Sequence, residues 1–265
     1  MARLTVADLH QMKRDHKKIA AAVVYDYQMA KICEKAGAEV LSVGDSLGRN
    51  VLGQATPDDT TVEDMLPFAR AVARAAERAI VSIDMPRQPC FDGPKAVEAA
   101  TKLFKEAGAD MVKVDIRRHE EELIDDVRAV IDAGLASYPQ IGFPTFEGEA
   151  SGRHGSPEEH EYILKWAHAV QDAGAAMIDL SQTSAEIYAD VCKSLRIPVM
   201  NGPAVPEADG KILVIFNAGG YPANTIDRTD PPSASKVVYD IAKATIDNIH
   251  VGKWVSREAT AAGRV

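Results

Sequence analysis

No apolar run in this sequence is long enough to cross a bilayer, and the N-terminal residues lack the apolar core and small-residue cleavage site of a secretory leader. A membrane span and an export signal drop out of the reading, and a cytoplasmic location is expected. Cysteine is scarce. Cys33, Cys90 and Cys192 form no CxxC pair, which argues against a disulfide framework or a thiolate zinc site and leaves them as small buried hydrophobes. The 30 Lys and Arg against 39 Asp and Glu give a formal charge of -9, with no basic stripe, so nucleic acid and membrane are not expected partners. Also missing are the GxGxxG turn of dinucleotide-binding sheets and any cluster of histidines and cysteines.

What is present is a large apolar fraction, 46% of 265 residues, enough for one sizeable core, and a repeated unit. Ala36-Gly37-Ala38, Ala107-Gly108-Ala109, Ala133-Gly134-Leu135 and Ala173-Gly174-Ala175 each precede a β-branched, apolar segment. Glycine there suits a left-handed helix cap, and the following run suits a strand buried on both faces. The same reading places eight strands near Ala20–Tyr25, Val40–Gly44, Ile80–Asp84, Met111–Asp115, Gln140–Phe143, Met177–Leu180, Pro198–Asn201 and Ile212–Phe216. Amphipathic stretches Val62–Glu77, Lys95–Glu106, Glu120–Asp132, Pro157–Asp172 and Ala185–Leu195 are long enough for crossover helices. Eight such units favour a closed α/β barrel, a (β/α)8 TIM barrel, over an open doubly wound sheet, with residues 1–265 as a single domain. Pro203–Lys211 and Asn217–Ser233 read as loops, and the tail after Trp254 as a frayed end or a subunit contact.

In this fold a polar residue closing an apolar strand faces the active site. Asp45, Asp84 and Asp115 each close one, so three strands deliver a carboxylate to one rim. Like charges held together call for a cation, and a hard divalent ion on oxygen ligands, magnesium rather than zinc, is the simplest candidate. The alternative for any single aspartate is a helix cap. Lys113, two residues before Asp115, points to the same side and is either a structural ion-pair partner or a substrate contact.

The run Val43-Gly44-Asp45-Ser46-Leu47-Gly48, with Val51-Leu52-Gly53 and Thr61-Val62-Glu63-Asp64-Met65, resembles ketopantoate hydroxymethyltransferase (3-methyl-2-oxobutanoate hydroxymethyltransferase). The likeness starts at Met12-Lys13-Arg14-Asp15 and Tyr25-Asp26-Tyr27 and continues through Asp84-Met85-Pro86, Arg196-Ile197-Pro198-Val199 and Asp209-Gly210-Lys211, covering about residues 12–216. The resemblance implies a barrel of the phosphoenolpyruvate mutase/isocitrate lyase type, a homo-oligomer, magnesium, and transfer of a one-carbon unit from 5,10-methylenetetrahydrofolate to 2-oxoisovalerate. It also implies that Asp45 and Asp84 belong to a metal site, with Asp115 where the family has a glutamate and a water bridging the shorter side chain. Ser46 matches a contact to the oxo-acid carboxylate, and Lys113 the substrate-binding lysine.

Three positions depart from the family. Gln140 stands for a histidine after strand five, Ser181 for the glutamate that removes the C3 proton, and Asn201-Gly202-Pro203 for a glycine-rich segment after strand seven. Lys113 and Ser181 are thus the expected catalytic positions, and Asp45, Ser46, Asp84, Lys113 and Gln140 the substrate contacts. A hydroxyl holds its proton too tightly to replace a carboxylate base. Candidate replacements are Asp179, on the side of Ser181 but deeper, and Glu147 and Glu149 in the loop after strand five, where solvated surface charge is the plainer reading; His154 lies in the same loop. Two alternatives stand beside the transferase: a magnesium-dependent carbon-carbon lyase or aldolase acting on another 2-oxo acid, and a non-catalytic barrel that binds an oxo acid.

Overall fold

The computed structural model describes residues 2–86, 92–117, 120–143, 155–228 and 233–251. Eight parallel strands close in chain order into a barrel: β1 (Ile19–Val23), β2 (Val40–Val43), β3 (Ile80–Asp84), β4 (Met111–Asp115), β5 (Ser137–Ile141), β6 (Ile178–Leu180), β7 (Val199–Met200) and β8 (Gly210–Val214). Helix α1 (Val6–Arg14) precedes β1; α2 (Tyr27–Lys35), α3 (Val62–Ala75), α4 (Gly93–Ala107), α5 (Glu120–Asp132), α6 (Pro157–Asp172) and α7 (Ala185–Ser194) follow β1 to β6 in turn. The chain divides into two compact units, Met1–Val214 and Ile215–Val265. The second holds α8 (Ile215–Ala218), a 3-10 turn at Ala223–Thr225 and α9 (Ala234–His250), with the Ser233 hydroxyl donating to the Thr225 carbonyl at 2.7 Å.

The helix-to-strand reading survives at its glycines. Gly37, Gly108, Gly134 and Gly174 all take positive φ, at 108°, 77°, 80° and 98°, just before β2, β4, β5 and β6. The barrel floor is apolar: Ile19, Ala21, Val40, Ile80, Met111, Tyr138, Met177 and Met200 meet inside it, and Leu9 of α1 plugs it from below with no exposed surface. Burying a leucine fully contributes about 1.5–3 kcal/mol, so α1 is part of the core.

Two strands lie elsewhere than expected. β5 starts three residues earlier than Gln140, because the Ser137 carbonyl already accepts from Ala176 N at 2.8 Å. Pro139 is tolerated inside it because alternation turns its missing N–H toward β6, whose register with β5 begins only at Gln140 opposite Asp179. β8 starts at Gly210, which sequence assigns to a loop. A Cβ there would lie 2.1 Å from the Ile19 carbonyl oxygen and 2.7 Å from Met200 Cε, so this glycine permits close strand approach rather than a turn. Helices α1, α2, α8 and α9 also fall outside the five crossover helices expected, α8 taking Ile215 and Phe216 from the strand expected at Ile212–Phe216, and the 217–233 loop contains a 3-10 turn. Cys33 and Cys192 are buried and unpaired, as read; Cys90 and the tail after Trp254 lie outside the described residues. Among the described residues no helix is long and apolar enough to cross a membrane.

Candidate active site

The C-terminal ends of β2 to β6 carry the acids and their partners. Asp84, the last residue of β3, is buried, and its Oδ2 accepts from Lys113 Nζ of β4 at 2.8 Å. Its Oδ1 is buried with no hydrogen-bond partner. Lys113 Nζ also faces Asp179 Oδ2 of β6 at 3.7 Å, and Asp179 Oδ1 accepts from Asn201 Nδ2 at 2.9 Å. One ammonium therefore serves two buried carboxylates, with Asp45 near enough to act on both Asp84 and Lys113 through space.

The titration of the pair follows from this excess of acid. Burial raises the Asp84 carboxyl to about 6 from an ordinary 3.8; Lys113 pulls it down, and Asp45 and Asp179 push it back up. Burial works against the Lys113 ammonium, yet Asp84 and Asp179 outweigh it and hold the group above its ordinary value, so it stays charged. Of the two roles sequence left open, Lys113 takes that of a structural ion-pair partner, and it places a fixed positive charge in the barrel mouth.

Asp115 meets a residue that sequence reading passed over. Arg117 grips it with Nε to Oδ1 at 2.9 Å and Nη2 to Oδ2 at 2.6 Å, and the Arg117 backbone N–H donates to Oδ1 at 3.1 Å. Burial would raise Asp115, but the guanidinium bonds and charge prevail and leave it below its ordinary value. Gly142 makes room for this arginine, since a Cβ there would sit 3.3 Å from Arg117 Cδ. Arg117 Nη1 lies 3.5 Å from Ser181 Oγ, which also accepts from Gln140 Nε2 at 3.3 Å. The sequence signal was present in the even spacing Lys113, Asp115, Arg117.

Ser46 sits across the mouth, its hydroxyl 2.9 Å from the Tyr25 hydroxyl, which accepts from Asn50 Nδ2 at 2.8 Å. Asp45, Ser46, Asp84, Lys113, Asp115, Gln140 and Ser181 all stand at or just beyond the C-terminal ends of β2 to β6. Asp179 lies within β6, two residues deeper than Ser181. Register aligns Asp115 with Gln140 and Gln140 with Asp179, which puts Asp179 on their rung of the sheet. Glu147, Glu149 and His154 lie outside the described residues.

The donor set fits one hard divalent cation better than a closed cage. Among the described residues no three His, Cys, Asp or Glu side chains form a ready metal cluster. Magnesium, however, takes one or two carboxylates and keeps several waters. The unpartnered, buried Asp84 Oδ1 beside a second acid is the kind of oxygen such an ion satisfies.

A closed parallel barrel with acids at its mouth defines the class by fold: a (β/α)8 barrel, similar in fold to barrels of the phosphoenolpyruvate mutase/isocitrate lyase superfamily. The crystal structure of 2,3-dimethylmalate lyase, a member of that superfamily, superposes with a TM-score of 0.65 at 17% identity, covering 96% of this chain and 91% of that one, a likeness of fold. The sequence model of ketopantoate hydroxymethyltransferase matches residues 3–245, and the chain belongs to that family. It is 33% identical over 230 residues to the 3-methyl-2-oxobutanoate hydroxymethyltransferase of Leifsonia xyli subsp. xyli, covering 85% of this chain and 82% of the relative. It is also 33% identical over 258 residues to the enzyme of that name from Acidothermus cellulolyticus, covering 95% and 94%.

Proposed function

We propose that this protein transfers a hydroxymethyl group from 5,10-methylenetetrahydrofolate to 3-methyl-2-oxobutanoate (2-oxoisovalerate), giving ketopantoate, and that Asp45 and Asp84 hold a magnesium ion for the purpose, with Asp115 reaching it through water. Membership of the family supports the reaction. The single structural observation that carries the metal assignment is the buried, unpartnered Asp84 Oδ1 next to a second acid. When bound, the ion supplies Lewis acidity toward the 2-oxo acid.

The chain's own groups do the rest. The Lys113 ammonium, held charged by Asp84 and Asp179, offsets negative charge that develops on the oxo oxygen when C3 loses its proton. Ser46, fixed by Tyr25, donates to the substrate carboxylate. Gln140 and Arg117 both point donors at Ser181 Oγ, so its own proton is turned outward to orient the reactants. On this reading the enzyme is a cytoplasmic homo-oligomer.

The purified protein with magnesium, 2-oxoisovalerate and methylenetetrahydrofolate is expected to form ketopantoate, read by mass spectrometry. Asp84→Ala should cut turnover by on the order of 100-fold or more, since losing several kcal/mol of charge stabilisation costs a factor of ten per 1.4 kcal/mol. No product from the wild type beside an active relative would remove the proposal; full activity in the variant would remove the metal assignment.

A further inference from the structure

We propose that Asp179 is the base that takes the C3 proton, an inference that rests on the hydroxymethyltransferase reading. Enolisation needs a group able to accept a proton close to the substrate, and the position that carries a glutamate in the family is Ser181 here. The other polar groups of the mouth are poor acceptors. Lys113 is held as an ammonium between two acids, Arg117 keeps its proton, and Gln140 and Asn201 are amides. Both oxygens of Asp115 carry Arg117, and Asp45 and Asp84 are assigned to the ion. Among the described residues of the mouth, Asp179 is the carboxylate left over.

Its geometry suits the task. It lies two residues before Ser181 on β6, so both side chains leave the same face of the strand, and it shares a rung with Gln140 and Asp115. Asn201, at a φ of 80°, turns its amide onto Oδ1 and fixes the carboxylate. Oδ2 faces Lys113 at 3.7 Å, beyond hydrogen-bond reach, which leaves that oxygen able to take a proton. In the step, the C3–H bond breaks and its proton passes to Asp179 Oδ2. The bonding pair forms the C2–C3 double bond, and the carbonyl pair moves onto the oxo oxygen, beside Lys113. The carboxylate has moved two residues down its strand, and Asn201 on β7's end holds it there.

The test follows exchange of the C3 proton of 2-oxoisovalerate for deuterium by NMR, with magnesium present and folate omitted. Wild type is expected to exchange; Asp179→Asn should lose at least 100-fold in rate while melting as a folded protein and still binding 2-oxoisovalerate by calorimetry. Adding Ser181→Glu to Asp179→Asn should restore exchange, because it returns a carboxylate to the same strand face, an outcome that a purely structural role for Asp179 would not give. If asparagine unfolds the barrel, Asp179→Ser, with space for a water, is read the same way. Exchange retained in a folded Asp179 variant overturns the assignment and leaves the transferase reading standing. Exchange absent from wild type overturns both.

Discussion

Lys113 shows how much one side chain carries at this mouth. Its ammonium bonds Asp84 at 2.8 Å and faces Asp179 at 3.7 Å, and the second contact is electrostatic rather than a hydrogen bond. Lys113→Met keeps the length and removes the charge, leaving two buried acids face to face. Breaking a buried pair in this way costs about 3–5 kcal/mol, measurable by urea denaturation of the metal-free protein at pH 8. The penalty should shrink in acid. Asp84 already titrates at about 6 with Lys113 present, and without that cation it takes its proton at still higher pH, so the variant recovers stability as pH falls. A penalty equal at pH 8 and pH 5 would contradict the charge argument. Arg117 illustrates the opposite case: its even spacing from Lys113 and Asp115 marks the side it leaves from, but it sits past the end of β4, and the spacing alone does not fold it back onto Asp115. Asp179 was legible as a residue deeper than Ser181, but its alignment with Gln140 and Asp115 was not, because strand register is a long-range property.

Elements are joined by small devices at their ends. Glu34, near the end of α2, accepts backbone N–H groups of Glu77 at 2.9 Å, Arg78 at 2.7 Å and Ala79 at 2.8 Å, immediately before β3. Burial opposes its charge, but these donors prevail and hold Glu34 below its ordinary 4.5. A depressed carboxyl stabilises the fold above the unfolded value and loses that contribution as pH falls through the folded one. Glu34→Gln is therefore expected to cost about 1–3 kcal/mol at pH 7, with the gap to wild type closing below pH 4.5; thermal melts across that range check it. Such links span 43 to 45 residues and leave no local mark. The strands that sequence located well, β2, β3 and β4, are mostly β-branched apolar runs, each with one polar residue inside (Ser42, Ser82, Lys113), ending in or shortly before an acid. β5 and β8 were misplaced because Pro139 and Gly210 behave as loop residues by local preference and are overruled by their neighbours in the sheet.

At the scale of the whole barrel, its foot and its mouth have opposite electrostatic character. At the foot, Lys13 of α1 bonds Asp209 Oδ2 at 2.5 Å and the Cys192 carbonyl at 2.9 Å, the same Asp209 oxygen accepts Val199 N at 2.8 Å, and the Asp209 carbonyl accepts Ile19 N at 2.8 Å. One aspartate thus ties α1, β1, β7 and the start of β8, the seam where the barrel closes. Asp209→Ala should cost about 3–5 kcal/mol by leaving Lys13 unpaired in a mostly buried site, read as a lowered melting temperature. An unchanged melting temperature would show the seam to be held by backbone pairing alone. At the mouth, by contrast, Asp45, Asp84, Asp115 and Asp179 share two cations, Lys113 and Arg117, and charge is left over. For a protein engineer this division of labour is practical. New specificities can be written into the rim by trial and error, while the Asp209 clasp and the Leu9 plug are left untouched as the chassis that tolerates the experiments.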